Sequence, residues 1–285
     1  MGKPILITGA PGNVSSEIVR LLREGGHRVR AAVVNPDKAR AALGEGVEYV
    51  RFDFADAATY PAACEGVERL YLMRPPHITD VKGQIAPFIQ FAKQAGVKHI
   101  VFLSLLGVEK NRFVPHAKVE DALMDSGVPY TMLRPTYFMQ NFSTTYREMI
   151  RRDGEIALPT GKGKMSLIDA RDIAAVAALC LTEPGHENKA YTLTGSEAYN
   201  FWEIARILSE GLERTVTFPN PSFFQYRRRM KAMGMNSGLI NVTSMMYLIA
   251  RLGLSAGLTS ETQRLLGRPP IPFLQFVKDH RGVWE

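Results

Sequence analysis

The sequence predicts an α/β fold: a Rossmann-like, doubly wound parallel sheet with a smaller C-terminal α/β substrate lobe. The first observation is the stretch ILITGAPGN at residues 5–13, where an apolar run meets a glycine turn and then an amphipathic run. The second is that apolar runs alternate with helix-period runs through the first half of the chain, which is typical of βαβ units. The third is that glycines follow the helical runs, where helices commonly end.

The first half of the chain supplies the predicted sheet and the helices that cover it. Right-handed crossovers between such strands lead to a doubly wound sheet, covered on both faces. The predicted strands are residues 5–8, 29–34, 47–52, 69–73, 99–104 and 130–133. The predicted helices are residues 15–24, 37–43, 57–64, 81–95 and 117–125.

The second half is less regular and becomes mostly helical and Met-rich from Pro221 onward. We expect a dinucleotide-binding domain at residues 1–134 with a returning segment at about 165–195, and a substrate lobe at 135–285, interleaved with the sheet. The apolar run at 239–258 contains polar residues, so it predicts partly buried helices rather than a membrane span. The elements predicted here are strands at 165–168, 190–193 and 216–218 and helices at 169–181 and 201–213.

The composition and charge of the chain argue against several classes of partner and site. The 285-residue chain carries a net charge of +7, but basic and acidic residues are interspersed, so no nucleic-acid partner is expected. Its densest basic cluster, at residues 227–231, is interpreted as a solvated helix face. The two cysteines, Cys64 and Cys180, are far apart and the histidines are scattered, which predicts neither a disulfide nor a metal site. With no signal peptide recognised, a cytoplasmic location is expected.

The glycine turn predicts a dinucleotide site. Gly9 suits a tight turn, and a side chain at Gly12 would hold a pyrophosphate away from the backbone and from the following helix N-terminus. The third small position of the spacing is Ser15, which departs from glycine. An ordinary glycine-bearing βα turn is the alternative interpretation.

The end of the second strand bears on the choice between NADP and NAD. NAD-preferring sites carry an acidic residue there, whereas this chain has Val34 and Asn35. Without the carboxylate a 2′-phosphate meets no repulsion, and Lys38 and Arg30 are nearby cations. NADP is therefore the favoured cofactor and NAD the alternative, although no arginine ends the strand.

Further cofactor contacts are expected where the next strands end. Asp53 can accept a hydrogen bond from the adenine amino group and Phe54 can cover the base, unless Asp53 only caps the next helix. Met73 and Arg74 lie where the fourth strand ends and Ser104 ends the fifth, so these three are expected at the wall of the nicotinamide site.

The usual proton donor of carbonyl reduction is missing. A tyrosine is expected four residues before a lysine, but Val114 stands four residues before Lys118. Lys118 remains a candidate contact to the nicotinamide ribose and a candidate to lower a neighbouring pKa. The remaining candidate proton donors are His116, Tyr137 and Ser104.

Several motifs in one order resemble the NmrA-like family of atypical short-chain dehydrogenases/reductases. The resemblance covers nearly the whole chain and implies a Rossmann domain with a C-terminal substrate lobe, usually with NADP. The motifs are TGAPGN at 8–13, NPDKA at 35–39, GVKHIVFLSLLG at 96–107, HAKVEDALMDSGVPYTMLRPTYFMQNF at 116–142, DARDIAAVA at 169–177, GHENKAYTLTG at 185–195 and GRPPIPFLQFVKDH at 267–280.

The resemblance also implies roles for residues and a function. The stretch 135–141, which includes Tyr137, would line the nicotinamide and the substrate. An NAD(P)H-dependent reductase of a small conjugated acceptor, such as a quinone, iminium ion or dye, is expected. A non-catalytic NADP(H) sensor acting through a protein partner is the alternative, and an epimerase is a weaker one. No membrane partner is expected, and a homodimer is the candidate assembly. The residues and the resemblance together give these candidate cofactor contacts: Gly9, Pro11, Gly12, Asn13, Val14, Asn35, Lys38, Asp53, Phe54, Met73, Arg74, Lys118 and Tyr137.

Overall fold

The computed structural model describes residues 2–285, which divide into two compact units. The first unit extends to Pro135 and includes Ala170–Leu193, and the second consists of Thr136–Asp169 and Thr194–Glu285. Within the described residues the strands are β1 (Ile5–Thr8), β2 (Val29–Val33), β3 (Glu48–Arg51), β4 (Arg69–Met73), β5 (His99–Leu103), β6 (Tyr130–Pro135), β7 (Tyr137–Phe138), β8 (Met165–Ile168), β9 (Lys189–Leu193) and β10 (Ala198–Tyr199).

The helices of the described chain are numbered in sequence order. They are α1 (Asn13–Glu24), α2 (Pro36–Leu43), α3 (Tyr60–Cys64), α4 (Ala86–Gln94), α5 (Pro115–Ser126), α6 (Gln140–Ser143), α7 (Arg147–Asp153), α8 (Ala170–Thr182), α9 (Phe201–Leu212), α10 (Phe223–Ala232), α11 (Ser237–Arg251), α12 (Glu261–Leu266) and α13 (Phe273–Asp279).

The first unit contains a seven-stranded sheet in the order β3-β2-β1-β4-β5-β6-β9, and every neighbouring pair is parallel. The direction of winding reverses between β1 and β4, so the crevice at their carboxyl ends is the topological switch point where ligands bind in such sheets. The predicted α/β, Rossmann-like fold is confirmed.

Burial explains why the first elements form as they do. All four residues of β1 are buried, as expected of a central parallel strand covered on both faces. In α1 the buried positions, Val14, Ser15, Ile18, Val19 and Leu22, recur at helical spacing and form one face. This face holds the N-terminus of α1 at the carboxyl edge of β1.

The second unit has its own core and a three-stranded sheet in the order β10-β8-β7. Its core packs aromatic side chains from α6, α9 and α13, including Phe142, Phe201 and Phe273. No helix within residues 2–285 combines the length and the apolar character that crossing a bilayer requires.

Three predicted segments differ in the structure. The predicted strand at 216–218 is wrong: Thr217 makes only an isolated bridge with Glu155. The predicted helix at 57–64 is a 3₁₀ turn followed by α3, and that at 81–95 is a π-helical turn followed by α4. Pro61 and Pro87 explain both breaks, because a proline has no N–H to continue the hydrogen bonding of the preceding turn.

Candidate functional site

The turn after β1 favours glycine at Gly9 through its backbone conformation. Its φ of +61° lies in the left-handed region, and a Cβ there would stand 2.1 Å from Met73 Cε at the end of β4. The N–H of Gly12 donates to the carbonyl of Gly9 at 2.9 Å, which closes the turn. A Cβ on Gly12 would stand 3.1 Å from that same carbonyl oxygen.

The N-terminus of α1 begins directly after this turn. Gly12 is its N-cap, and in the described chain no side chain caps this end and no acidic residue occupies its first turn. The first backbone N–H groups and the positive end of the helix dipole therefore face the carboxyl edge of β1. A cradle of glycine backbone with an uncapped helix N-terminus fits the diphosphate of a dinucleotide.

Thr8 and Ser15 join the turn to its neighbours. The Thr8 hydroxyl donates to the carbonyl of Tyr71 at 3.1 Å and accepts the N–H of Met73 at 2.8 Å, which ties the end of β1 to β4. Ser15, the departure from glycine, is buried and donates to the carbonyl of Thr8 at 3.2 Å. Serine at this position therefore adds a helix-to-strand bond, and close packing is kept.

The carboxyl end of β2 lacks the cation that we expected from Arg30. Arg30 lies near the amino end of β2 and pairs with Glu48 at 3.0 Å, so it is not near the predicted ribose site and that expectation is wrong. Val34 is 69% exposed at the other end. Asn35 caps α2 by accepting the N–H of Lys38 at 3.0 Å, and the Lys38 side chain is exposed.

An arginine that sequence reasoning missed stands beside this strand end. Arg51 is the last residue of β3 and is the register partner of Val33. Its side chain is 68% exposed and pairs loosely with Asp56 at 3.4 Å. The signal was available in the sequence: a basic residue ends the neighbouring parallel strand, at the same edge as Val34.

Asp53 and Phe54 differ in what they offer to a ligand. The Asp53 carboxylate accepts the N–H of Ala55 at 2.9 Å, while Asp56 caps the following turn, so Asp53 is not the cap. Phe54 is buried, with its ring packed edge-on against Phe52 at 4.8 Å between centroids. The Phe54 ring is therefore part of the core of the first unit.

Arg74 holds the loop after β4 and keeps one donor unused. Its Nη1 donates to the carbonyls of Pro75 and Ile78 at 2.9 and 2.6 Å. Its Nε is buried and has no hydrogen-bond partner among the described residues. Burial lowers the pKa of Arg74, and a nearby anionic or carbonyl acceptor would satisfy this donor.

The hydroxyl of Ser104 is hydrogen-bonded to the carboxylate of a buried ion pair. Its hydroxyl donates to Glu120 Oε1 at 2.7 Å, and Arg134 donates to both Glu120 oxygens at 3.0 and 2.7 Å. Glu120 is 1% exposed, and its carboxylate raises the pKa of Arg134. The network joins β5, α5 and β6 at the edge of the predicted site, and sequence reasoning did not foresee the pairing of Glu120 with Arg134.

His116 and Lys118 occupy the first turn of α5, which begins after the carboxyl end of β5. Burial and the neighbouring positive charge of Arg74 lower the pKa of His116 to about 4, so its imidazole is neutral at pH 7. The Lys118 side chain is exposed on the same turn. This turn therefore presents the cation of Lys118, whereas the imidazole of His116 is not a protonated acid at pH 7.

Tyr137 belongs to the second unit and joins a group of tyrosines. Its hydroxyl lies 3.1 Å from that of Tyr247, which also bonds the hydroxyl of Tyr146. Burial raises the pKa of Tyr137 above its ordinary value. No group of three or more His, Cys, Asp and Glu residues within 2–285 is arranged to hold a metal ion.

The fold and the glycine turn define a dinucleotide-binding α/β protein, and comparisons with known proteins refine that class. The model of the NmrA-like family matches residues 1–265, so the chain belongs to this family, as its motifs predict. It is 36% identical to an NAD(P)H azoreductase of Xenophilus azovorans, over 98% of this chain and 99% of that one.

Two further proteins are similar along nearly their whole length. Quinone oxidoreductase 2 of Escherichia coli strain K12 is 30% identical, over 96% of this chain and 97% of that protein. The crystal structure of a Citrobacter triphenylmethane reductase complexed with NADP(H) superposes with a TM-score of 0.87 at 27% identity, covering 97% of this chain and 99% of that one.

The buried ion pair leads to a test of stability. Arg134→Met leaves the Glu120 carboxylate buried without its cation, so the free energy of unfolding should fall by about 3–5 kcal/mol. The double variant Glu120→Gln/Arg134→Met removes the orphaned charge and should recover part of the loss. Urea denaturation at pH 7 measures both variants, and equal losses would contradict a role for the buried charge.

The neutral state of His116 can be tested by NMR. Its imidazole should titrate at about pH 4 in the folded protein, compared with about 6.5 in an unfolded chain. Since the folded pKa is the lower one, this group's contribution to stability is present above about pH 6.5 and lost as the pH falls toward 4. A His116→Gln spectrum assigns the resonance, and a midpoint near 6.5 would refute the lowered pKa of His116.

Proposed function

We propose that this chain is an NAD(P)H-dependent oxidoreductase that reduces a small conjugated acceptor such as a quinone, an iminium ion or a dye. The observation that carries the proposal is the glycine cradle at the switch point, where Gly9 adopts a left-handed φ that disfavours a side chain and the N-terminus of α1 is uncapped. The azoreductase, quinone oxidoreductase and triphenylmethane reductase named above support this class. They do not favour the alternative of a non-catalytic sensor.

The proposed cofactor contacts follow the carboxyl edge of the sheet. The turn Gly9–Pro11–Gly12 and the amides of Asn13 and Val14 would hold the diphosphate. Asp53 would accept from the adenine amino group, and Lys118 would donate to the nicotinamide ribose. When bound, the reduced nicotinamide supplies the hydride, and the protein orients it and excludes water.

Exposed cations around the end of β2 support a preference for NADPH. Lys38 lies in the first turn of α2, and Arg51 ends β3 opposite Val33. We assign to both a contact with the 2′-phosphate, because a guanidinium or ammonium group there replaces the arginine missing at Val34. Arg51 then exchanges its loose pairing with Asp56 for a doubly charged phosphate.

The state of the candidate proton donors favours substrates that can be reduced without a proton from the enzyme. His116 is neutral at pH 7, the Ser104 hydroxyl donates its hydrogen bond to Glu120, and burial raises the pKa of Tyr137. Reduction of a quinone yields a stabilised anion that takes protons from water, and reduction of an iminium ion or cationic dye removes a positive charge. The role of Tyr137, a homodimer and a cytoplasmic location stay predictions.

The proposal is tested by binding and then by turnover. The purified chain is titrated with NADPH and with NADH while nicotinamide fluorescence is followed. A menadione-type quinone, an azo dye and a triphenylmethane dye are then added, and loss of reduced-nicotinamide absorbance is recorded. Tight binding with turnover of at least one acceptor is expected. Binding without turnover of any of them would favour the sensor.

A substitution in the turn tests the diphosphate cradle. Gly12→Val places branched carbon where the diphosphate would approach, so NADPH affinity should fall by at least about 100-fold, or ~2.7 kcal/mol. Gly282→Val is the matched control, because a Cβ there meets nothing within 4 Å. Fluorescence titration measures both, and unchanged affinity in the folded Gly12 variant would refute the cradle.

Removal of one charge tests the preference for NADPH. Arg51→Gln should weaken NADPH binding about tenfold, the low end for a charge-assisted hydrogen bond at an exposed site, and leave NADH binding unchanged. Arg28→Gln is the control, because this arginine is also exposed and ion-paired but precedes β2 at the opposite edge of the sheet. An equal loss for NADPH and NADH would remove Arg51 from the 2′-phosphate site.

A further inference from the structure

One segment of the second unit differs from the rest of the chain in charge. Residues 214–260 contain six basic residues and no acidic residue, whereas the whole chain has a net charge of only +7. The segment is therefore strongly cationic at neutral pH. The basic residues are Arg214, Arg227, Arg228, Arg229, Lys231 and Arg251.

The same segment exposes an unusual amount of apolar surface. Ten of its large apolar side chains are between 39% and 75% exposed. Elsewhere in residues 2–285 only four large apolar side chains are comparably exposed, Val34, Phe113, Met124 and Trp202. Exposed apolar area concentrated in this way marks an interaction surface. The ten residues are Phe224, Met233, Leu239, Val242, Met245, Leu248, Ile249, Leu252, Leu254 and Leu258.

The helix α11 is apolar on both of its sides. Its inner stripe, Ile240, Thr243, Tyr247 and Ala250, is buried in the second unit. Its outer stripe is formed by Leu239, Val242, Met245, Ile249 and the adjoining Leu252, all exposed. The helix has one charged residue, Arg251, whereas the outer side of a surface helix in water is ordinarily polar.

The outer side of α10 carries the cations. Tyr226 and Met230 face the core, and Arg229 turns aside to pair with Asp153 and Glu155 at 2.7 Å each. Among the other exposed positions of α10, one aromatic ring and three cations stand at helical spacing. They are Phe224, Arg227, Arg228 and Lys231.

Contacts between the two helices make these stripes one surface. Tyr226 and Thr243 join hydroxyl to hydroxyl at 2.8 Å on the buried side. On the exposed side, Arg227 donates to Asn241 Oδ1 at 2.7 Å. We call the exposed stripes together the α10–α11 face; it comprises Phe224, Arg227, Arg228, Lys231, Leu239, Val242, Met245, Ile249 and Leu252.

We propose that the α10–α11 face binds the surface of an anionic lipid bilayer, with its apolar stripe among the headgroups and acyl chains and its cations on the lipid phosphates. An exposed apolar helix face flanked by Arg and Lys is the pattern of helices that lie in the membrane interface. A second copy of the chain fits less well, because it would bring two acid-free cationic segments together. This contact lies on a membrane and does not span it, and it revises the expectation that the chain has no membrane partner.

Vesicle co-sedimentation tests the proposal with the full chain. Vesicles of phosphatidylcholine alone are compared with vesicles that also contain phosphatidylglycerol. The chain should sediment with the anionic vesicles, much less with the neutral ones, and should be released from them at high salt. Absence of binding to both, or equal binding to both, would overturn the proposal.

Paired variants separate the two parts of the surface. Arg228→Gln/Lys231→Gln should lower partitioning onto anionic vesicles about 25-fold, since each basic residue contributes about fivefold. Val242→Ser/Met245→Ser should lower it by at least about tenfold through lost apolar burial. The matched controls are Lys110→Gln and Met124→Ser, which change exposed residues of the first unit and should sediment like the unchanged chain.

Three further measurements keep the outcomes distinct. Thermal unfolding confirms that each variant is folded, and NADPH titration should give the same affinity for all of them. Velocity sedimentation without lipid identifies a second copy as the occupant. A dimer that Val242→Ser/Met245→Ser converts to monomers would assign the face to self-association and overturn the proposed lipid contact.

Discussion

The close approach of β1 to β4 at the switch point is the constraint on which the proposed site depends. Gly9 adopts a φ of +61°, which disfavours a side chain there, and the Thr8 hydroxyl ties the two strands together. Because β1 ends in this tight turn, α1 begins with its amides directed along the carboxyl edge of the sheet. The diphosphate cradle is therefore a consequence of strand packing as much as of glycine.

The same edge of the sheet is short of acids that can give up a proton. The buried carboxylate of Glu120 is paired with Arg134, and it accepts a hydrogen bond from the hydroxyl of Ser104. The partial burial of His116, together with the nearby cation of Arg74, lowers its pKa and holds it neutral. Ser104 and His116 are therefore poor proton donors at neutral pH. The reaction that we propose delivers hydride to acceptors whose products are stable without a proton from the enzyme.

Exposed apolar and basic side chains are concentrated on one part of the second unit, at α10 and α11. The core of the second unit uses the inner stripe of α11 and the aromatic rings of α6, α9 and α13. The outer stripe of α11 was predicted only as partly buried helix, and the basic residues of α10 as a solvated face. A hydrogen bond from Arg227 to Asn241 joins α10 to α11 and so places the basic residues beside the exposed apolar stripe. The sequence predicted the two helices separately and did not anticipate this combined surface.

The sequence by itself determined the parallel sheet, the glycine turn and the family, because hydrophobic period and glycine placement are local signals that survive without knowledge of contacts. It also located most strand ends within one or two residues. Only the tertiary structure decided that Arg30 lies at the edge of the sheet opposite the predicted ribose site, that Phe54 lies in the core and that Glu120 pairs with Arg134. These facts depend on strand register and on side chains brought together from distant positions, and no local pattern in the chain encodes which partner each will meet.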